Sequence, residues 1–165
     1  MSKISIRLQK LQDADRFFNI LNNDRFLYFP TRPASAGAEK KWLRQSFIKR
    51  QKNIQWNYAV LYGSLVVGAV GITINTDRPH IGEIGYFVEE KYWGRGIATR
   101  AVKLVEREGF KKLKLTRLEI LMEPANKASE KVAIKNNYQK EGKLKKIIKG
   151  RDGSMKDCWL YAKTL

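Results

Sequence analysis

Lys91-Tyr92-Trp93-Gly94-Arg95-Gly96-Ile97-Ala98-Thr99 separates a strand-like run, Ile81 to Val88, from a helix-like run, Ala98 to Lys112. Two glycines one residue apart at a strand-to-helix turn remove Cβ atoms where the chain must bend, so an anion can approach the main chain closely. The helix that follows starts with unpaired N–H groups and the positive end of its dipole. Arg95 and Arg100 add charge at the same place. These features together read as a phosphate cradle. It is not a Walker loop, because no Gly-x-x-x-x-Gly-Lys-Ser/Thr run is present. Nor is it a dinucleotide fingerprint, because Thr99 stands at the third glycine position and the loop lies past mid-chain.

Ile4, Ile6 and Leu8 alternate as a first strand does. Asp13 is placed to cap a helix running to about Asn22, with Phe17, Ile20 and Leu21 on one face. Pro30, Pro33 and Gly37 mark Asn23 to Gly37 as loop, and a second helix is expected from about Ala38 to Lys52, carrying Trp42, Phe47 and Ile48. Gln55 to Tyr62 and Leu65 to Ile74, joined by Gly63-Ser64, read as a hairpin. Beyond the cradle come a strand at Arg117 to Met122, a short helix from Asn126 to Asn136, and a last hairpin, Lys143 to Lys149 with Lys156 to Lys163. Asn137 is expected in the left-handed conformation after its helix. The order of elements predicts one α/β (α+β) domain over residues 1–165, with neither repeats nor low-complexity segments.

At these residues the chain resembles the GNAT superfamily of N-acetyltransferases. The family loop, Gln/Arg-x-x-Gly-x-Gly/Ala, is matched by Lys91 to Gly96, with Lys at the first position. Glu83 to Val88 resembles the strand before the loop, and Pro124-Ala125-Asn126-Lys127-Ala128-Ser129-Glu130-Lys131-Val132 resembles the Pro-x-Asn-x-Ala-Ser-x-x-Val signature. Glu141 to Leu144 and Asp157 to Tyr161 resemble the closing strands, which points to the ribosomal-protein-alanine (RimJ/RimL) branch. The match runs from about Gly63 to the C-terminus. The resemblance implies a mixed, twisted sheet of about seven strands flanked by helices, in which the strand before the loop and the strand after its helix splay apart around the cofactor.

The resemblance also implies acetyl-CoA as co-substrate, without a metal. Backbone N–H groups of Arg95, Gly96, Ile97, Ala98 and Thr99 would cradle the pyrophosphate, with Lys91 and Gly94 completing the loop. Main-chain groups of Phe87 and Val88 would pair with the pantetheine arm as an added strand does. Asn126 would bond the arm from the other side. A plain helix cap is the other reading of Asn126.

The amine must lose a proton before it attacks. Glu83, in a strand between apolar residues, is the candidate base, since burial would raise its basicity. Glu119 and Glu123 are weaker alternatives, and His80 lies in a loop. Many family members place a tyrosine seven residues after the signature Asn to protonate the leaving sulfur; here that position is Ala133. Ser129 is the substitute candidate, in both the catalytic and the cofactor-binding set.

Composition bounds the rest. At 43% hydrophobic and 11% aromatic the 165 residues suffice for a folded core. No apolar run approaches the ~20 residues of a membrane span. Met1 to Ser5 shows no signal-peptide pattern, so a cytoplasmic protein without membrane contact is expected. The single cysteine, Cys158, sits in a strand-like run and reads as a small buried hydrophobe.

The net charge of +17 leaves open contact with RNA or a ribosome through Lys103, Arg107, Lys111, Lys112, Lys114 and Arg117, or through Lys143, Lys145, Lys146, Lys149 and Arg151. The expected activity is acetyl transfer to a primary amine, foremost the N-terminal α-amine of a protein such as a ribosomal protein. The alternatives are a basic RNA/ribosome-binding module without turnover and a small-molecule amine acetyltransferase. Either a monomer or a homodimer fits the sequence.

Overall fold

The computed structural model describes residues 3–165. Seven strands form a single sheet: β1 (Ile4–Leu8), β2 (Gln55–Tyr62), β3 (Leu65–Ile74), β4 (Ile81–Val88), β5 (Arg117–Met122), β6 (Gln139–Lys149) and β7 (Met155–Thr164). Their order across the sheet is β1-β2-β3-β4-β5-β7-β6, and every pair is antiparallel except β4 with β5. The helices are α1 (Ala14–Leu21), α2 (Ala36–Gln51), α3 (Ile97–Arg107) and α4 (Lys127–Lys135). This is the expected seven-stranded mixed α/β architecture.

Strand alternation sorts the core into two layers. Tyr58, Val60, Ile72, Ile84 and Val88 turn to one face and pack with Ile97, Val102 and Val105 of α3 and Ala133 of α4. Ala59 and Ala69 turn to the other face, against Phe17 of α1 and Leu43 of α2. Phe87 belongs to this second layer, edge-on to Phe17, Phe26 and Phe29. Leu43 is fully buried, and its truncation to alanine would cost about 2–5 kcal/mol.

Several local expectations change in detail. Asp13 precedes α1 but does not cap it with its side chain. Its carboxylate turns back to Arg7 (2.7 and 2.8 Å) and to the Lys10 N–H (2.8 Å). α2 starts two residues earlier than the sequence suggested, because Ser35 Oγ accepts the Ala38 N–H (3.0 Å). Its inward stripe is Glu39, Leu43 and Ser46, whereas Trp42 and Ile48 stay exposed. After Arg107 the helix after the cradle widens into a π-helical turn, Glu108–Lys112. Asn137 does adopt the left-handed conformation (φ 61°).

Part of the basic surface is paired internally. Arg117 lies between Glu119 and Glu141, Lys112 pairs with Glu108, and Lys143 pairs with Asp157. Among the described residues no helix is long and apolar enough to cross a membrane, and no group of three or more His, Cys, Asp or Glu could hold a metal ion.

Candidate functional site

β4 and β5 pair only where Ile81–Glu83 meets Arg117–Glu119. Beyond that point β4 continues with β3 and β5 continues with β7, so a gap opens between them. The register decides which backbone groups face the gap. Glu89 N–H donates to Val67 O (2.7 Å) and Asn75 N–H donates to Ile81 O (2.9 Å). Antiparallel pairing alternates, so the odd positions of β4, including Gly85 and Phe87, spend their backbone on β3. Tyr86 and Val88 turn theirs toward the gap. The Val88 carbonyl is already held by Trp93 Nε1 (2.6 Å). Of the two main-chain positions expected to bind the pantetheine arm, Val88 faces the gap. Phe87 does not, because its amide and carbonyl are committed to Ala69. Tyr86 is the other position on the free edge.

The same strand leads into the cradle. Gly94 (φ 75°) and Gly96 (φ 72°) are left-handed, a conformation costly to any residue with a Cβ. A Cβ at either would meet no atom within 4 Å, so the space above both is open. Gly96 precedes α3, and no side chain caps it. The first-turn N–H groups of Ile97, Ala98 and Thr99 therefore have no partner within the helix. Arg95 stacks over the Tyr92 ring at 5.5 Å. Lys91 sits 5.3 Å from the same ring and 3.2 Å from Glu89, so much of its charge is spent within the loop. Arg16 of α1 also binds Glu89, while Asn23 (2.8 Å) and Arg25 (3.1 Å) hold Glu90. The segment leading into the cradle is thus tied to α1 and the loop that follows it.

On the far side of the gap, Asn126 Oδ1 accepts the Ser129 N–H (3.1 Å) at the start of α4. The cap reading of Asn126 therefore holds for its oxygen, and Nδ2 remains for any ligand. The Ser129 hydroxyl meets the Tyr86 hydroxyl at 2.7 Å. This bond links β4 to α4 across the gap. Burial pushes the Tyr86 phenol up to about 12, although the Ser129 bond works to lower it. Tyr86 is therefore a neutral hydroxyl at pH 7. Ala133 is completely buried in the core, so a tyrosine at that position would have to displace core side chains.

Glu83 turns to the α1/α2 face, opposite Thr73 on one side and Glu119 on the other. Its residue surface is still substantially exposed. Its carboxyl nevertheless titrates above the usual range, first through desolvation of the carboxyl group and second through the Glu119 charge. Glu119 itself is held by Arg117 Nε (2.6 Å). His80 is exposed in its loop, and Glu123 is half-buried at the end of β5. Cys158 is buried, and burial, with Glu123, Glu83 and Asp157 nearby, pushes its thiol up to about 11.

A cavity of about 350 Å³ lies on the same face as Glu83, between the sheet and the N-terminal helices. Its floor includes Gln55, Asn57, Gly71, Thr73, Gly85 and Phe87. Phe17, Leu21, Phe29, Pro33 and Trp42 form apolar walls, and Glu39 projects from α2. The sequence reading missed two of these groups. Tyr86 sits in the quoted strand, but nothing local shows that its hydroxyl meets Ser129, 43 residues away. Glu39 was not singled out, because nothing local shows that it faces a cavity.

The sequence profile of the family described as acetyltransferase (GNAT) domain matches residues 3–139. The uncharacterized N-acetyltransferase p20 of Bacillus licheniformis is 33% identical over 97 residues, which is 59% of this chain and 54% of that protein. The chain thus spans about half the length of that relative. A ribosomal-protein-S5-alanine acetyltransferase from Vibrio fischeri superposes with a TM-score of 0.87 and 26% identity, over 99% of this chain and 94% of that one. RimJ of Mycobacterium smegmatis, solved in complex with CoA-disulfide, superposes at 0.89 with 22% identity, over 98% and 81% respectively, and shares the fold.

Proposed function

We propose that this chain, which belongs to the GNAT acetyltransferase family, is an acetyl-CoA-dependent N-acetyltransferase that acetylates the α-amine of a protein N-terminus, a ribosomal protein being the first acceptor to try. One observation carries the reading: the free edge of β4 at Tyr86 and Val88 runs directly into an open left-handed glycine cradle at the start of α3. An extended amide arm that ends in a pyrophosphate needs both, in that order. The residues present therefore fit coenzyme A.

Acetyl-CoA supplies a thioester whose acyl carbon can accept an amine. The backbone N–H groups of Gly96 to Thr99 would bind the pyrophosphate, and Tyr86 and Val88 would align the arm by strand-like pairing. Asn126 Nδ2 would bond the arm from the α4 side. Glu83, kept above the usual carboxylate range, would take the proton from the incoming ammonium. The Tyr86–Ser129 hydroxyl pair would supply the donor to the leaving sulfur, in place of the family tyrosine. A thiol pKa near ~8.5 makes the thiolate a tolerable leaving group even without full protonation.

The test is transfer of radiolabelled acetyl groups to a panel of peptides copying ribosomal-protein N-termini, with N-terminally blocked peptides as controls. Label on free α-amines alone is the expected result. Label on lysine side chains or small amines alone would overturn the acceptor assignment, and no transfer to any amine would overturn the enzyme assignment.

A further inference from the structure

We propose that the cavity beneath α2 receives the acceptor, and that the Glu39 carboxylate is the counter-charge for the α-ammonium of a peptide whose first side chain is apolar. This deepens the acetyl-transfer reading and rests on it for the identity of the site.

Glu39 is only 7% exposed and lines the cavity. Among the described residues no hydrogen-bond donor or cation reaches its carboxylate. Its oxygens are not sealed from solvent, yet the partial burial desolvates the carboxyl, and desolvation alone raises its pKa. The chain carries 33 Lys and Arg residues against 16 Asp and Glu, so partners were abundant in the sequence. None is placed here. Arg32, the one cation on the cavity wall, is turned to Asp24 (2.5 Å) and Asn22 (2.7 Å).

Two more acceptors in the same wall are unmatched. Gln9 Oε1 and Gln55 Oε1 are buried without a donor. Gln55 Nε2 is oriented by Thr73 Oγ1 (3.2 Å), which fixes which end of that amide is left over. Three acceptor groups around one cavity call for a ligand rich in N–H donors and poor in acceptors. An alkylammonium, with three donors and a positive charge, is that ligand.

The remaining walls select what is attached to the ammonium. Phe17, Leu21, Phe29 and Trp42 offer apolar and aromatic surface to a neighbouring side chain. The volume, about 350 Å³, is at the small end of the roughly 300–1,000 Å³ typical of ligand cavities. It admits a chain end rather than a folded surface. Gly71 and Gly85 pair across β3 and β4, and whereas the Asn57 side chain covers Gly71, the floor is bare at Gly85. A Cβ on Gly85 would meet nothing within 4 Å. Through Gly85 and Phe87 the cavity reaches the strand whose other edge borders the gap.

Calorimetric binding of leucine amide and of N-acetylleucine amide to wild type, Glu39→Gln and Gly85→Leu tests the proposal without requiring turnover. Wild type is expected to bind the free amine at least tenfold more tightly than the acetylated probe. Glu39→Gln should erase that preference. Gly85→Leu adds a side chain whose Cβ meets no atom within 4 Å, so it should abolish binding of both probes while the thermal shift with acetyl-CoA persists. Equal binding of the two probes, no binding of either, or a preference that survives Glu39→Gln overturns the assignment. If leucine amide binds through Glu39 but no amine is ever acetylated, the acetyl-transfer reading fails and the Glu39 site stands.

Discussion

Gly96 separates backbone strain from occlusion of the cradle. At φ 72° any L side chain costs about 1–2 kcal/mol, whatever its size. A Cβ there meets no atom within 4 Å, so Gly96→Ala and Gly96→Trp should share that penalty and differ in little else when the protein is free. For a domain of this length 1 kcal/mol corresponds to about 2–4 °C in Tm, so both variants should melt about 2–8 °C below wild type. Acetyl-CoA at about 100 times its Kd stabilises the native state by about 2.7 kcal/mol. That corresponds to about 5–11 °C in wild type. The alanine variant should keep most of this shift, because a methyl group leaves the N–H groups of α3 accessible. The tryptophan variant should lose it, because an indole would cover them. Differential scanning calorimetry with and without acetyl-CoA reads all six states. A tryptophan variant that shifts as far as wild type would refute the cradle as the pyrophosphate site.

Two further outcomes follow from the titrating groups. If Glu83 takes the proton, kcat should rise with pH through the raised Glu83 pKa, and Glu83→Gln should remove that limb. Glu119→Gln deletes the negative neighbour, which favours ionised Glu83 and should move the limb to lower pH; an unmoved limb in a pH–rate profile would exclude the pair. In Asp13, burial works to raise the pKa, but the Arg7 hydrogen bonds, the Lys10 N–H and the two cations outweigh it, so the folded value lies below the usual range. The resulting stability is present in full above the unfolded value of ~3.9 and is lost as pH falls through the folded value. Asp13→Asn should therefore cost on the order of 2 kcal/mol at pH 7, and its deficit relative to wild type should shrink in acid urea melts.

How much was legible follows from how local each feature is. The cradle was readable because its requirement is local: two left-handed positions in a row of nine residues admit glycine and little else. The strands around it announced themselves by alternation, and Asn126 by its place before a short helix. The ends of α2 and α3 were less legible, since the Ser35 side-chain cap and the π-helical turn shift them by hydrogen bonds that no periodicity encodes. α2 misled for a related reason. Its large apolar residues Trp42 and Ile48 stay outside, and packing over the sheet turns Glu39, Leu43 and Ser46 inward.

The sequence alone determined the glycine loop and the order of the elements, because these rest on dihedral preferences and short-range periodicity, and it carried the motifs whose resemblance pointed to the family. Only the tertiary structure decided which backbone edge is free. The parity of the β3–β4 hydrogen bonds turns Tyr86 and Val88, rather than Phe87, to the gap. Tertiary contacts alone brought the Tyr86 and Ser129 hydroxyls together and enclosed Glu39 without a counter-ion. Burial and partnership are properties of the space between elements distant in the chain, and a charge written in the sequence does not show which side of a helix will be covered.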